Sequence, residues 1–234
     1  MNKEQFIKEL AKLNITITNE QLNQLSIYYN LLVEENKKYN LTAITEEQDV
    51  YLKHFYDSLT IVKSVKITDQ YICDIGTGAG FPGMVIKILY PNTKMDLLDS
   101  TAKKCNFLNL VINKLNLKDV QVINDRAEEY SHKNRNKYDL VVSRAVAPLK
   151  HLLEYSIPLL KVNGCFVAMK SNLTEDLKNI DIYYKKLNLS NVSIIEFNLP
   201  YELSKRTIYK INKIKKTDKK YPRPYSQIKK KEIS

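Results

Sequence analysis

Tyr71-Ile72-Cys73-Asp74-Ile75-Gly76-Thr77-Gly78-Ala79-Gly80-Phe81-Pro82-Gly83 is the stretch on which the fold turns. A short apolar run ends near an acid, a glycine-rich turn follows, and Pro82 stands where a helix opens, a place its fixed φ suits. The chain holds five glycines, and four of them (Gly76, Gly78, Gly80 and Gly83) fall in this stretch. Such clustering marks a backbone that turns tightly and is closely approached. Strand, glycine turn and helix in succession form the opening unit of a nucleotide-type α/β site.

Outward from that unit, short apolar runs recur at 71–75, 94–98, 120–124, 138–143, 165–169, 192–197 and 207–211, with helical patterns filling most intervals. This alternation predicts an α/β fold with a doubly wound, mostly parallel, Rossmann-like sheet of seven strands, whose ligand crevice lies beyond the carboxyl ends of the central strands. Upstream, the first 64 residues read as helices. Phe6, Leu10 and Leu13 recur at helical spacing, Thr18 with Gln21 forms a capping-box pattern, and Leu22, Leu25, Tyr29, Leu32 and Val33 make the stripe that follows. Thr45 with Gln48 repeats the signal ahead of Val50, Phe55, Leu59 and Val62. The expected organisation is an N-terminal helical extension, 1–64, and an α/β domain, 65–234, ending in a basic tail, 201–234.

With 234 residues, 44% apolar and 27% charged, the chain has the composition of one soluble globular domain plus an extension. No apolar run approaches the roughly 18 residues that span a bilayer, and the polar start shows no export signal. A cytoplasmic protein is expected, with no membrane partner. Cys73, Cys105 and Cys165 are odd in number and lack C-x-x-C spacing, so buried reduced thiols are expected. His54, His132 and His151 show no metal spacing, and no metal is expected. Of the net charge of +11, residues 201–234 carry +9, although 32 Lys against 5 Arg suggests a coding bias that weakens any argument from lysine alone. The tail is expected to bind phosphates through Lys205, Arg206, Arg223, Lys229 and Lys230, with Tyr209, Tyr221 and Tyr225 available to stack on bases.

Two ligand classes fit the glycine turn. Gly78-x-Gly80-x-x-Gly83 matches the dinucleotide fingerprint, and Asp74-x-Gly76-x-Gly78-x-Gly80 matches the pattern of S-adenosylmethionine sites. Asp74 separates them: it would repel a pyrophosphate, whereas S-adenosylmethionine brings a sulfonium and an ammonium that a carboxylate favours. S-adenosylmethionine is the expected cofactor, with Asp74, Gly76 and Gly78 around it. Asp99, 23 residues beyond Gly76, ends the next strand where an acid reaches ribose hydroxyls, although Asp99 or Ser100 equally suits a helix cap. Asn124-Asp125-Arg126-Ala127-Glu128 is a polar turn at the same edge, suited to an adenine ring, although on its own it reads as a solvated loop. Arg144, closing the fourth strand, offers a planar five-donor group to a carboxylate, phosphate or base edge, or to a structural carboxylate. No Asn-Pro-Pro-Tyr or Asp-Pro-Pro-Tyr sequence and no cysteine nucleophile stands there, which argues against exocyclic-amine and cytosine-C5 methylation.

Taken together, the motifs resemble those of the ribosomal RNA small subunit methyltransferase G family, also called glucose-inhibited division protein B. The likeness rests on the run from Asp74 to Gly83, on Leu98-Asp99-Ser100 with Lys103-Lys104 and Phe107-Leu108, on Asp125-Arg126-Ala127-Glu128, and on Ser143-Arg144-Ala145-Val146-Ala147. Tyr39-Asn40-Leu41-Thr42-Ala43-Ile44 and His54-Phe55-Tyr56-Asp57-Ser58-Leu59 extend it over nearly the whole chain. The resemblance implies a class I S-adenosylmethionine-dependent methyltransferase fold and methyl transfer to N7 of a guanine in small-subunit (16S) ribosomal RNA. Carried over by position, it places cofactor contacts on Gly76, Phe81, Ala127, Glu128 and Arg144. Guanine N7 carries an exposed lone pair, so no general base is needed, and Arg144 is the expected catalytic residue, acting by positioning. Phe81 is a candidate stacking platform for the base, or equally a core residue. The implied partner is small-subunit ribosomal RNA or the ribosomal subunit, with the enzyme a monomer. Two departures weaken the expectation for tail contacts: Ser171 follows Lys170 where the family usually has glycine, and the tail does not end in Pro-Leu. Three rivals are disfavoured: a methylase of small molecules or proteins by the tail's charge, a non-catalytic RNA-binding factor by the intact acids and glycines, and a nicotinamide oxidoreductase by Asp74.

Overall fold

Helix α1 (Lys3–Lys12) opens on a capping box: the Asn2 side chain accepts the Gln5 N–H at 2.9 Å, and Gln5 Oε1 accepts the Asn2 N–H at 2.8 Å. Thr18 and Gln21 form the expected box at the start of α2 (Asn19–Tyr39), which Asn40 ends in the left-handed region. Each box satisfies two N–H groups that a helix start leaves without partners. Thr45 and Gln48, in contrast, form no box. The short turn α3 (Glu47–Asp49) has no side-chain cap and runs directly into a π-helical stretch, Val50–Tyr56, followed by α4 (Asp57–Leu59) and a 3-10 turn, Thr60–Lys63. Every residue of the π stretch except Lys53 is buried, so the widened turn places side chains on several sides at once. Irregular turns of this kind recur at functional sites.

The computed structural model describes residues 1–144, 146–173 and 177–233; Ala145 of the Ser-Arg-Ala-Val-Ala block and Ser234 of the tail lie outside the described residues. Seven strands form one sheet: β1 (Tyr71–Ile75), β2 (Lys94–Asp99), β3 (Val120–Asn124), β4 (Tyr138–Arg144), β5 (Leu160–Lys170), β6 (Leu189–Asn198) and β7 (Lys205–Lys213). Their order is β3-β2-β1-β4-β5-β7-β6, parallel through β5, with β7 antiparallel to both of its neighbours. This is the doubly wound sheet expected. The strand order reverses between β1 and β4, which is where such a sheet opens a ligand crevice.

Helices cover both faces. On one, Phe6, Leu25, Tyr28, Leu32 and Phe55 share a continuous apolar cluster with Ile72 of β1, with Met84 of α5 (Gly83–Leu89) and with Phe107 of α6 (Ala102–Lys114). The N-terminal helices therefore lie on the sheet and share its core. Burial of each such side chain is worth about 1.5–3 kcal/mol, so the sheet face depends on them. On the other face, α7 (Ala127–Lys133), α8 (Leu149–Ser156), α9 (Ile180–Leu187) and α10 (Tyr225–Lys230) pack over Val141, Phe166 and Tyr209. Cys73, Cys105 and Cys165 are buried free thiols.

Residues 201–233 are not a loose tail. Lys205–Lys213 of them form β7, set between β5 and β6, and Tyr209 and Tyr221 are buried, so neither can stack on a base as expected. Lys213 is 1% exposed and donates to Asn136 Oδ1 and to the carbonyls of Ile157 and Leu160. Burial pushes its ammonium down to about 8. Among the described residues, no helix is long and apolar enough to cross a membrane.

Candidate functional site

The glycine turn is built from backbone. Gly76 and Thr77 N–H both donate to Leu98 O, at 2.8 and 3.1 Å, which ties the turn to the end of β2. Gly76 and Gly78 hold φ of +67° and +62°, the left-handed region that favours glycine. Asp99, at the tip of β2, accepts the Gly78 N–H on Oδ2 at 2.9 Å and the Thr101 N–H on Oδ1 at 2.8 Å. A carboxylate has about four acceptor positions, so Asp99 keeps capacity for a ligand while fixing the loop.

Asp74 is placed differently from its expected position around the cofactor. It is fully buried behind the turn, and its Oδ2 accepts the Gly83 N–H at 2.8 Å. Burial pushes its carboxyl up to about 6, opposed by the Gly83 N–H and by Arg144. The reason is local: β1 is covered on both faces, and its penultimate side chain meets the first turn of α5. Asp74 thus braces the loop.

A cavity of about 470 Å³ opens beyond the strand ends, lined by Gly76, Asp99, Ser100, Thr101, Asp125, Arg126, Ala127, Glu128, Arg144 and Tyr225, with Ile75, Leu98 and Val146 supplying apolar wall. The structure thus brings together Gly76, Asp99, Ala127, Glu128 and Arg144. Ala127 and Glu128 form the first turn of α7, whose leading N–H groups have no acceptor within the helix. Tyr225 is a wall of this cavity, with its ring 5.7 Å from the Arg126 guanidinium. The donor set fits S-adenosylmethionine: free acceptor capacity at Asp99 for a sugar diol, main-chain donors at α7 for a ring nitrogen, and apolar patches for a flat ring.

Phe81 is buried, not an open platform. His54 stacks on it at 4.3 Å and 16°, Tyr28 at 5.6 Å and 27°, and the Arg144 guanidinium lies 5.2 Å from its ring.

Arg144 borders a second cavity of about 250 Å³, whose walls include Ile44, Lys53, His54, Asp57, Met169, Lys170, Phe197, Arg206 and Ile208. Its Nη1 donates to Lys53 O at 2.9 Å and reaches Asp57 Oδ2 at 3.4 Å. Its Nη2 lies 3.1 Å from His54 Nδ1. Arginine only donates, so Nδ1 accepts, and His54 Nε2 carries the proton toward Thr42 Oγ1 at 2.9 Å. Burial first, and then the Arg144 charge, lower His54 to about 3, which keeps the ring neutral. Arg206 Nε donates to the same Asp57 Oδ2 at 3.1 Å.

The remaining expected contacts are scattered. Lys205 pairs with Glu196 at 3.0 Å. Arg223 is held by Glu154, its Nε on Oε1 at 2.7 Å and its Nη2 on Oε2 at 2.8 Å, which makes it a structural pair. Lys229 and Lys230 are exposed on α10. Tyr28, His54 and Asp57 join the site although no motif in the sequence assigns them a role; for His54 and Asp57 the available signal is the His54-Phe55-Tyr56-Asp57 stretch of the family resemblance, and Tyr28 has none.

Comparison with known proteins bears on this geometry. The profile of the GidB family, described as rRNA small subunit methyltransferase G, matches residues 21–208. The chain belongs to this family. It is 47% identical over 220 residues to the ribosomal RNA small subunit methyltransferase G of Mycoplasma capricolum, covering 92% of this chain and 93% of that one. The enzyme of that name from Bacillus cereus is 45% identical over 227 residues, covering 95% of both. Among solved structures, a SAM-dependent methyltransferase from Aquifex aeolicus aligns with a TM-score of 0.53 at 15% identity, covering 74% of this chain and 97% of that one. TYW2 of M. jannaschii, in complex with AdoMet, aligns at 0.57 and 12% identity, covering 74% and 80%. These two likenesses show the fold, a Rossmann-like class I methyltransferase sheet. The family match starts within α2 and ends within β7, so it contains Lys53, His54, Asp57 and Phe81, the described residues that hold Arg144.

Proposed function

We propose that the first cavity takes S-adenosylmethionine and that the protein, acting as a monomer in the cytoplasm, transfers its methyl group to N7 of a guanine in small-subunit ribosomal RNA. The observation that carries this reading is that two cavities, one shaped for a nucleoside and one rimmed by cationic groups, meet at Arg144. Family membership supplies the substrate class.

When bound, the cofactor supplies a methyl group on a positively charged sulfur. Asp99 accepts hydrogen bonds from the ribose hydroxyls, and the first turn of α7 at Ala127 and Glu128 offers main-chain donors to the adenine ring. Gly76 and Gly78 keep the loop low enough for close approach. Guanine N7 has its own lone pair to offer the methyl carbon of a bound cofactor, whose sulfur would leave with the bonding pair while the base takes the positive charge. No proton moves in that step, so neither a base nor an acid is required of the protein. The work left to Arg144 is to fix the geometry where the cavities join, and alignment of this kind is worth about 7 kcal/mol or more. Arg144 is itself fixed by Lys53 O, Asp57, His54 and the Phe81 ring. Lys229 and Lys230, outside both cavities, add attraction for RNA phosphates.

Mass spectrometry of small-subunit ribosomal RNA from cells with and without the gene tests this. The expected result is the loss of a single 7-methylguanine; an unchanged modification pattern overturns the proposal.

A further inference from the structure

Asp57 is 6% exposed, yet it stands in the wall of the second cavity and is the one carboxylate among the described residues lining it. Both guanidinium groups that reach it use the same oxygen, Oδ2. The other oxygen, Oδ1, takes no bond from a described residue. Around it the wall combines charge and apolar surface: Arg206 and Lys53 are cations, the latter paired with Asp49 and Glu202, His54 already has both nitrogens engaged, and Met169, Phe197 and Ile208 are apolar lining of a cavity of about 250 Å³.

A carboxylate paired to two guanidiniums only accepts, so its partner must bring donors. Among the four RNA bases, guanine alone presents two adjacent donors on its pairing edge, N1–H and the 2-amino group. Adenine and cytosine place an acceptor beside their amino group there, and uracil flanks one N–H with two carbonyls. Each of these would set an acceptor against the carboxylate and leave a buried group unpaired, the arrangement by which sites reject near-analogues most strongly. The guanine O6 beside N1 suits the neighbouring guanidiniums. N7 lies across the ring system from the 2-amino group, so a base held by that edge keeps its reacting lone pair open.

Resting on the activity proposed above, we infer that Asp57 is the specificity-determining residue of the second cavity, where its carboxylate accepts the N1–H and 2-amino donors of the target guanine.

The test titrates three nucleotides into the full-length protein: guanosine monophosphate, inosine monophosphate, which lacks only the 2-amino group, and N1-methylguanosine monophosphate, which lacks the N1 donor. Binding is read by NMR at isotope-labelled methyl groups of Met169 and Ile208. In the wild type, guanosine monophosphate is expected to bind on the order of tenfold more tightly than either analogue. Asp57→Asn is expected to level that preference to within about twofold, while binding of S-adenosylmethionine, measured by calorimetry, survives. Equal affinities for the three nucleotides in the wild type, or no shift at these methyl groups, overturns the inference without recourse to any variant; so does a variant that binds the cofactor and keeps the full preference. Failure of the underlying activity has a different signature: the wild type would ignore S-adenosylmethionine, whatever the nucleotide affinities.

Discussion

The two cavities that meet at Arg144 are made of different material. The first is framed by main chain at Gly76, whose turn the Leu98 carbonyl anchors, and at the opening turn of α7, with side chains such as Asp99, Asp125 and Tyr225 completing the wall. The second is bounded by long side chains drawn from remote segments, and the Arg206–Asp57 bond alone joins residues 149 apart in sequence. A wall of main chain keeps its shape through most substitutions and fails at its glycines. A wall of mutually bonded charges is cooperative, because loss of one member leaves the others unpaired.

Arg144→Ala is the hardest blow to this division, since it removes the side chain that both cavities share. Methyl transfer to small ribosomal subunits should fall on the order of 10²-fold or more; a single-turnover rate within a few-fold of wild type would remove Arg144 from the mechanism. Gly83→Ala strikes the main-chain side alone. An added Cβ would lie 2.5 Å from Leu97 Cδ2 and 2.8 Å from Asp74 Oδ2. Denaturant titration should show a loss of about 1–3 kcal/mol, with weaker cofactor binding and the nucleotide preference intact. His54 sharpens the other side through pH. Its unfolded value is near 6.5 and its folded value about 3, so the unfolded chain takes the proton more readily. The contribution is complete above the unfolded value and is lost as pH falls toward the folded one, by roughly 2 kcal/mol between pH 6.5 and 5. His54→Gln should flatten that acid limb in thermal unfolding; an identical slope would mean that the ring is not held neutral.

What could be read in advance follows the same division. The sheet, the glycine turn, the Thr18 cap and the acid at Asp99 announce themselves because each depends on neighbours within a few residues. Asp74, expected at the strand's end and facing the loop, stands one residue before that end and meets the helix beyond, and the direction of a strand's penultimate side chain is not written in its neighbours. Tyr209 was misjudged because a strand rich in lysine looks like a surface, whereas β7 lies inside the sheet between β5 and β6. Thr45 and Gln48 had the letters of a cap, but the burial of Tyr51, Phe55 and Tyr56 imposed a π-helical path that no local pattern encodes. His54 and Asp57 acquire meaning only when Arg144 arrives from a strand ninety and eighty-seven residues away.

Tyr28, midway along α2, donates its hydroxyl to the carbonyl of Ala79 and stacks with Phe55, Phe81 and Phe107. The glycine turn and an N-terminal helix are thereby bolted together at one phenol. Linkage is reciprocal: whatever factor separates the steadiness of α2 with and without cofactor is the factor by which a partner gripping α2 would alter cofactor affinity.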